Sequence, residues 1–414
     1  MLRVYSSLIG IIVLLLPAIS LLSKKVRLFL YHRKKYRNQI YGFHRSRKEK
    51  LIWLHCASLG EFELSKPLIK FLKTNHPKLV LILTFFSPSG LKSSTEVEHI
   101  DLVGYLPLDT RKRVGQFLEI TKPDMAILVK YEFWPNLLFE LHRRDIITYA
   151  ISCRFYRNQF LFYWYGKWLL KLIQSIDHLF VQEEKSKTLL ERYQFDNVSV
   201  CGDLRIDRVI ENASKSFSNE VILSFLGSSN CIVAGSTWDK DHEILLPIIG
   251  KKFSKIIIAP HDISPDSISS LEQKIHVPYE KFTCPNPTNI HKAKILILDT
   301  IGILSMVYRY AQITYVGGGF SKKGLHNILE PSSYFKPVLF GPHYKHFPEA
   351  TDLIEKGIGY SLRNTDDLNN VIDDLLENPK RLSHIRAETQ EYLTKNEGGT
   401  KKVYQFIRNE INIG

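Results

Sequence analysis

The chain has 414 residues, of which 44% are hydrophobic and 24% are charged, as in a globular protein and unlike a disordered or fibrous one. This length exceeds one ordinary core, so we expect two domains. Lys and Arg outnumber Asp and Glu by 56 to 42, and the net charge of +14 favours anionic partners such as a phospholipid surface or a phosphorylated substrate. Since no zinc-type Cys/His spacing or RNA-binding aromatic motif is present, we expect no nucleic-acid partner.

The N-terminal segment predicts a membrane anchor over residues 1–23. Residues 8–22 (LIGIIVLLLPAISLL) carry no charge, and counted back to Val4 the stretch is close to the ~20 residues of a membrane-spanning helix. A cleaved signal peptide is the alternative, but the dense Lys and Arg residues from Lys24 onward favour a flank that stays cytoplasmic and attracts anionic lipids. Pro17 and the marginal length leave open a helix that lies in the membrane interface.

After the basic segment, apolar runs typical of buried strands alternate with amphipathic helices. The runs lie at 51–57, 80–86, 102–107, 125–132, 146–152, 178–182 and 197–201, and then at 230–235, 255–259, 294–298, 312–316 and 337–340. This alternation predicts an α/β protein with doubly wound parallel sheets covered on both faces. Because the pattern loosens after Asp207, we expect domains at 24–207 and 230–414, a linker at 208–229, and the last three helices in the second domain.

The cysteines and one aromatic stretch are two smaller features of the sequence. The five cysteines are scattered and odd in number, and most lie in apolar runs, which indicates buried free thiols in a reducing compartment. The aromatic stretch 155–168 (FYRNQFLFYWYGKW) is either a core helix or a second surface that contacts lipid.

Glu61 is the first candidate for chemistry. It follows Gly60 at the start of a helix, directly after the first strand. A helix N-terminus favours the carboxylate form, and glycine lets a substrate approach closely. Glu61 is therefore a candidate general base, the alternative being an ordinary acid at a helix start. Glu63, two residues further along the helix, should face elsewhere.

Two later strand ends of the first half carry charged groups. The run that begins at Lys130 (KYEFWPN, 130–136) either lines a cleft or forms a solvated loop. Arg205 follows the last strand of the first domain, where it could clamp a phosphate or a carboxylate.

In the second half, the run 312–316 ends in three glycines, and Asn327 then predicts the N-cap of a helix. Free N–H groups at such a helix start hold phosphates, and Glu330, one turn in, could bind ribose hydroxyls. Three other loops, at 235–238, 259–262 and 299–303, end strands on the same side and predict a nucleotide pocket by convergence. Each signal alone is weak, since glycine turns also simply end strands and a single His261 is more often structural.

Taken together, five stretches resemble the 3-deoxy-D-manno-octulosonic acid (Kdo) transferases of Gram-negative lipopolysaccharide synthesis. They occur in the right order and, with the N-terminal anchor, cover nearly the whole chain: HCASLGE at 55–61, EFWPN at 132–136, GDLRID at 202–207, GGGFSKKGLHNILE at 317–330 and GPH at 341–343. The resemblance implies a GT-B glycosyltransferase, with two Rossmann-like domains that face a cleft, the acceptor site in the first and the donor site in the second. It also implies transfer of Kdo from CMP-Kdo, with inversion, to a 6-hydroxyl of the phosphorylated lipid A precursor at the inner membrane.

The resemblance also implies roles for individual residues. Glu61 matches the catalytic base, and Arg205 matches a basic residue, usually lysine, that stabilises developing charge. The CMP-binding segments correspond to Pro260, His261, Ile301, Gly302, Ile303, Asn327, Ile328, Leu329 and Glu330. Two positions depart from the family pattern. His261 stands where arginine is more common, and Lys130 replaces the first acid of the family's Glu-Thr-Glu-Leu-Trp-Pro-Asn, so that either Glu132 keeps part of that acid's role or Lys130 binds an anionic group.

The expected partners are CMP-Kdo, the lipid A precursor and anionic lipids of the inner membrane. The carboxylate and phosphate of the donor would be neutralised by Arg205, Lys322, Lys323 and the helix at Asn327. No carboxylate cluster suggests a divalent metal, so we expect neither a metal nor another cofactor. Three alternatives remain open: a membrane-associated GT-B enzyme that uses a UDP-sugar, a related isomerase, and a non-catalytic membrane-tethered protein.

Overall fold

The structure is a computed structural model that describes residues 1–43, 49–87, 99–250, 253–321 and 324–411. The chain forms two compact units. The first comprises Met1–Asp207 together with Glu397–Gly414, and the second comprises Arg208–Asn396.

The first unit is built on a parallel sheet of seven strands in the described residues. The strands are β1 (Leu51–Cys56), β2 (Val80–Phe85), β3 (Leu102–Tyr105), β4 (Met125–Val129), β5 (Ile147–Cys153), β6 (His178–Val181) and β7 (Val198–Val200). Their order is β3-β2-β1-β4-β5-β6-β7, so the chain reverses its direction of progress between β1 and β4. In a doubly wound sheet, the crevice at this reversal, beyond the carboxyl ends of the strands, is where ligands bind.

Helices cover both faces of this sheet, and buried side chains fill the layers between them. The described helices of this part of the chain are α1 (Leu2–Leu22), α2 (Lys24–Tyr41), α3 (Leu59–Asn75), α4 (Arg111–Thr121), α5 (Pro135–Arg143), α6 (Lys167–Ile173), α7 (Glu184–Glu191) and α8 (Leu204–Ser214), with a 3-10 turn at Phe160–Phe162. The helix α8 begins in the first unit and ends in the second.

The second unit repeats the same plan with seven described strands. They are β8 (Cys231–Thr237), β9 (Lys255–Pro260), β10 (Tyr279–Lys281), β11 (Ile295–Ile297), β12 (Ile313–Val316), β13 (Val338–Phe340) and β14 (Gly359–Ser361). The order β10-β11-β9-β8-β12-β13-β14 is again parallel and reverses between β8 and β12. Its helices are α9 (Glu220–Leu226), α10 (Asp239–Leu245), α11 (Pro265–Lys274), α12 (Leu304–Val307), α13 (Leu329–Ser332), α14 (Pro348–Glu355), α15 (Thr365–Glu377) and α16 (Pro379–Asn396), with 3-10 turns at Leu246–Ile248 and Tyr308–Tyr310.

The predicted doubly wound α/β architecture is confirmed, and each apolar run taken as a strand contains one. The short edge strands β10 and β14 were not predicted. Each has three residues, and the residues of β10 are only half-buried, so neither produces an apolar run.

The last helix, α17 (Gly399–Ile411), corrects the expected domain assignment because it lies in the first unit. Its Val403 and Ile407 are buried in the same core cluster as β1 and α3. The backbone N–H groups of Gly398 and Thr400 donate to the two carboxylate oxygens of Asp207 at 2.6 Å. The segment expected as a linker is also partly helical, since it contains the end of α8 and all of α9.

The N-terminal helices α1 and α2 differ in their packing. The helix α1 is long and apolar enough to cross a membrane, and none of its residues is buried. Its first turns are nevertheless bound to the unit, because Tyr5 Oη donates to Asp109 Oδ2 at 2.9 Å and Ser6 Oγ donates to Asn136 Oδ1 at 2.6 Å. The helix α2 packs on β3, and its buried Ile40 lies so close to the backbone of Gly104 that a β-carbon there would approach it to 2.8 Å.

The structure also shows the environment of the cysteines and of the aromatic stretch 155–168. The four cysteines other than Cys284 are buried, and the thiols are free. The aromatic stretch is not one helix. Phe155 and Phe162 are buried in the core, whereas Trp164 is 83% exposed, so the stretch serves both the core and the surface.

Candidate active site

Glu61 lies in the first turn of α3, beyond the carboxyl end of β1. The turn is fixed because Glu61 Oε2 accepts a hydrogen bond from the backbone N–H of Ser58 at 2.9 Å. Burial raises the pKa of Glu61 above its ordinary value, and Glu132 raises it further, while Lys130, the Ser58 N–H and His55 lower it. The net result is a raised pKa, which suits a group that takes up a proton near neutral pH.

Glu63 does not compete for this position. Its Oε1 accepts a hydrogen bond from Lys66 Nζ at 2.7 Å, within the same helix.

Glu132 is held by two hydrogen bonds in the loop after β4. His55 Nε2 lies 3.1 Å from Glu132 Oε2, and Trp134 Nε1 donates to the same oxygen at 2.6 Å. Burial alone would raise the pKa of Glu132, but the contacts with His55 and Trp134 lower it below its ordinary value. Glu132 is therefore a carboxylate, and the His55 Nε2–H donates to it.

The other ring nitrogen of His55 continues this network. His55 Nδ1 lies 2.9 Å from Thr84 Oγ1, which accepts a hydrogen bond from Trp53 Nε1 at 2.8 Å. His55 Nδ1 also lies 3.0 Å from the backbone oxygen of Thr84. A buried chain of hydrogen bonds thus runs from β2 through β1 to Glu132 and fixes that carboxylate in place.

Lys130 begins the loop after β4 in a left-handed conformation, with φ of +64°. Its backbone is tied to β5, because Lys130 N donates to Ile151 O at 2.8 Å and Cys153 Sγ donates to Lys130 O at 3.0 Å. Its charge lowers the pKa of Glu61 and also that of Asp203. The structure therefore brings Lys130 near the candidate base and near a carboxylate that the sequence did not indicate.

That carboxylate, Asp203, forms a hydrogen-bonded ion pair with Arg205. Arg205 Nε and Nη2 donate to Asp203 Oδ2 at 2.9 and 2.6 Å, and Arg205 N donates to Oδ1 at 3.0 Å. Burial would raise the pKa of Asp203, but Arg205 and Lys130 lower it. The guanidinium of Arg205 is thus pre-oriented by an ion pair, which costs little reorganisation when a new charge develops.

In the second unit, Asp241 organises the glycine loop after β12. Asp241 Oδ2 accepts hydrogen bonds from Trp238 N at 2.8 Å and from Gly318 N at 3.1 Å, and Oδ1 accepts from Tyr315 Oη at 2.5 Å. A β-carbon at Gly317 would lie 2.3 Å from Ser236 O, so the two loops meet backbone to backbone. The sequence reasoning missed Asp241, although its place three residues after Trp238 is the spacing of a capping box.

Three aromatic rings join the loops after β8, β9 and β12. His261 stacks on Trp238 with ring centroids 4.6 Å apart and on His326 with centroids 4.3 Å apart. Trp238 Nε1 also donates to His326 Nε2 at 3.2 Å. Burial and the neighbouring His261 lower the pKa of His326 to about 4, so this ring is neutral at physiological pH and carries its proton on Nδ1.

The segment from Asn327 to Glu330 differs from the expected helix start. The helix α13 has only four residues and begins at Leu329, with Ile328 and not Asn327 at the N-cap. Asn327 Oδ1 accepts from Leu329 N at 3.2 Å, and Asn327 Nδ2 donates to Glu330 Oε1 at 3.1 Å. Asn327 therefore caps a tight turn, and the predicted helix N-cap at Asn327 is wrong.

The structure places the other residues that were predicted to bind the donor as follows. Pro260 ends β9 opposite Thr237 of β8, next to His261 in the ring stack. Ile301 is 82% exposed, and Gly302 has φ of +100°. Ile303 is the N-cap of α12. Lys322 and Lys323 lie outside the described residues. Three of the four predicted loops therefore meet through described contacts.

Comparison with known proteins finds a similarity to Kdo transferases. The family model described as 3-deoxy-D-manno-octulosonic-acid transferase (kdotransferase) matches residues 32–208. The Kdo transferase of Aquifex aeolicus is 28% identical over 339 residues, which cover 80% of this chain and 87% of that protein. The chain is therefore similar to Kdo transferases over most of its length. These homologues are glycosyltransferases, and the similarity agrees with the resemblance carried by the motifs.

Two further relatives set the extent of the similarity. The Kdo transferase of Haemophilus influenzae is 24% identical over 391 residues, covering 86% of each chain. A bifunctional glycosyltransferase/methyltransferase of Fusobacterium nucleatum is 29% identical over 344 residues, and this chain spans about half of its length (53%).

Solved structures share the fold. The UDP-GlcNAc 2-epimerase of Neisseria meningitidis superposes with a TM-score of 0.61 at 14% identity, covering 87% of this chain and all of that one (100%). A glycosyltransferase of Rickettsia africae superposes with a TM-score of 0.55 at 15% identity and covers 89% of this chain. The two Rossmann-like units are therefore those of the GT-B fold.

Proposed function

We propose that this Kdo transferase homologue is an inverting glycosyltransferase that moves Kdo from CMP-Kdo to a 6-hydroxyl of the phosphorylated disaccharide precursor of lipid A. The family supports Kdo as the transferred group. The net charge of +14 and the apolar helix α1 support an acceptor that is anionic and held at a membrane. The observation that carries the proposal is Glu61, a partly buried carboxylate with a raised pKa at the sheet reversal of the first unit.

In the proposed reaction, Glu61 accepts the proton of the acceptor hydroxyl. Since Oε2 is occupied by the Ser58 N–H, we assign this role to Oε1. The hydroxyl oxygen bonds to the anomeric carbon of Kdo as the bond from that carbon to the CMP phosphate breaks, and the bonding electrons leave with CMP. Attack from the opposite side to the leaving group inverts the configuration.

Two cations of the first unit are assigned to the charges of the donor. Arg205, pre-oriented by Asp203, and Lys130 would stabilise the negative charge that develops as CMP leaves or bind the Kdo carboxylate. In the second unit we assign the stacked rings of Trp238, His261 and His326 to one wall of the CMP site, and Glu330 to the ribose hydroxyls. We further propose that the reaction needs no metal, so transfer should continue in EDTA.

We also propose that α1 attaches the protein to the cytoplasmic face of the inner membrane by lying in the interface. Both ends of this helix are tied to the first unit: Tyr5 and Ser6 bind it at the start, and α2, which follows Ser23, packs on β3. A spanning helix would place these ends on opposite sides of the bilayer, about 30 Å apart. In membrane vesicles with the cytoplasmic face outward and a Cys284→Ser background, an impermeant maleimide should label both Arg3→Cys and Lys25→Cys; a spanning helix would leave Arg3→Cys unlabelled.

The direct test of the reaction uses the purified full chain, CMP-Kdo and an acylated disaccharide bisphosphate acceptor, with mass analysis of the product. We expect the acceptor to gain one or more Kdo units, with NMR showing inversion at the anomeric carbon. Transfer from a UDP-sugar but not from CMP-Kdo would contradict the proposal and support the alternative donor class.

A further inference from the structure

A cavity of about 630 Å³ lies in the first unit between α2, the end of β3 and α4. This is the size of a small-ligand site. Five cations line it, and none of the other described lining residues is Asp or Glu; the cations are Arg33, Lys34, Arg37, Lys112 and Arg113. Catalysis is assigned to Glu61, Lys130 and Arg205, and none of these lines the cavity.

Arg33 is the cation with the strongest need for a partner. Its Nη2 donates to Phe86 O at 2.9 Å, and its guanidinium lies over the ring of Phe29, with 3.6 Å to the centroid. Its Nε and Nη1 are buried and have no hydrogen-bond partner within the described ranges. Burial lowers the pKa of Arg33 to about 10, which reflects a desolvated charge. Unpaired N–H groups of a buried cation are costly, so an anion with several acceptor oxygens would relieve this site.

A second pair of cations supports the same conclusion. Burial lowers the pKa of Arg113, and the charge of Arg37 across the cavity lowers it further. Two like charges that face one cavity repel each other, and a phosphate between them would convert this repulsion into two attractions. Arginine suits that role because its planar fork matches phosphate oxygens.

Beside the cations, the wall is mostly apolar, so a purely hydrophilic ligand would not be the best fit. Leu30, Ile40, Leu106 and Phe117 line the cavity beside the cations. The helix α2 carries most of these cations. It follows directly after the apolar helix α1, none of whose residues is buried. A membrane lipid with a phosphate head group and an acyl chain would fit both the cationic and the apolar parts of this cavity.

We propose that this cavity binds one anionic phospholipid of the bilayer, with its phosphate held by Arg33, Arg37 and Arg113 and an acyl chain along the apolar part of the wall. This site is separate from the groups assigned to catalysis, so it can be tested by measuring lipid binding without measuring transferase activity.

The experiment is native mass spectrometry of the full chain in non-ionic detergent, titrated with phosphatidylglycerol or with phosphatidylcholine of the same acyl chains. We expect one phosphatidylglycerol to be retained in preference to phosphatidylcholine. Arg33→Gln and Arg113→Gln should each weaken this binding about tenfold or more, because each removes a charge-assisted contact. Arg27→Gln is the matched control, since Arg27 is an exposed arginine of α2 that does not line the cavity.

Several results would overturn the proposal. Equal retention of phosphatidylcholine would show that the net negative charge of the lipid is not recognised. If Arg27→Gln loses as much phosphatidylglycerol binding as Arg33→Gln and Arg113→Gln, the effect would be one of net protein charge and not of a specific site. One-for-one displacement of phosphatidylglycerol by the acceptor lipid would assign the cavity to the acceptor, and displacement by millimolar inorganic phosphate would assign it to the free anion. If Arg33→Gln fails to fold, Arg113→Gln decides, and its unchanged binding would refute the site.

Discussion

His55 Nε2 and Trp134 Nε1 converge on one oxygen of Glu132, at 3.1 and 2.6 Å, and hold that residue as a carboxylate beside Glu61. Glu132 is the surviving acid of a motif whose first acid is replaced here by Lys130. The two residues act on the candidate base in opposite directions, because Glu132 raises the pKa of Glu61 and Lys130 lowers it. This opposition can be measured.

Replacing either neighbour of Glu61 should shift the pH dependence of transfer. A base must be deprotonated, so kcat/KM falls as the pH falls through the raised pKa of Glu61. Lys130→Gln removes the charge that lowers this pKa, and the acidic limb should move to higher pH. Glu132→Gln removes the charge that raises it, and the limb should move to lower pH. Shifts of the same sign in both variants, or no shift in either, would remove Glu61 from this role.

Asp203→Asn should lower kcat by about tenfold or more. The variant loses the charge-assisted hydrogen bonds that orient Arg205, and each such bond is worth about 1.5–3 kcal/mol. Arg205→Lys, which keeps the charge but loses the fork, should lower kcat in the same direction. Wild-type turnover in both variants would show that this ion pair has no part in the reaction.

The same pair predicts the pH dependence of stability. The folded pKa of Asp203 lies below its ordinary value, which is about 3.9 when unfolded. Its contribution to the free energy of unfolding is therefore full above the unfolded pKa and is lost as the pH falls through the folded pKa. Denaturant unfolding should show wild type more stable than Asp203→Asn at pH 7, with the difference shrinking below about pH 4. A difference that grows on acidification would contradict the ion pair.

Glu330→Ala should raise the dissociation constant of CMP about tenfold, measured by calorimetry. The carboxylate is held by Asn327 and would accept hydrogen bonds from two ribose hydroxyls. Glu330→Gln keeps one acceptor oxygen, so its dissociation constant for CMP should lie between those of wild type and Glu330→Ala. Glu355→Ala, at an exposed acid of α14, is the control and should bind CMP as wild type does. An unchanged dissociation constant in Glu330→Ala would argue against the ribose role.

The parallel sheets could be predicted because buried strands leave continuous apolar runs, and Glu61 and Lys130 were selected as candidates because each lies at the end of such a run. Sequence reasoning missed Asp203 and Asp241, whose importance lies in the hydrogen bonds that they accept from Arg205, Gly318 and Tyr315. Those contacts depend on backbone placement and leave no periodic signal.

Two other predictions failed for related reasons. Val403 and Ile407 form an apolar stripe that fits either sheet, so the stripe could not assign α17 to the first unit. Asn327 has the composition of an N-cap, but Asn also stabilises tight turns, and the sequence does not distinguish the two uses.

The most direct test of the account is single-turnover transfer by Glu61→Gln, with CMP-Kdo binding measured on the same sample. The amide preserves the shape of the side chain and removes its basicity. We expect the rate to fall about 10²–10⁴-fold while the affinity for CMP-Kdo persists, and Glu63→Gln, on the neighbouring acid bound to Lys66, should keep wild-type turnover. Undiminished transfer by Glu61→Gln would contradict the assignment of Glu61 as the base.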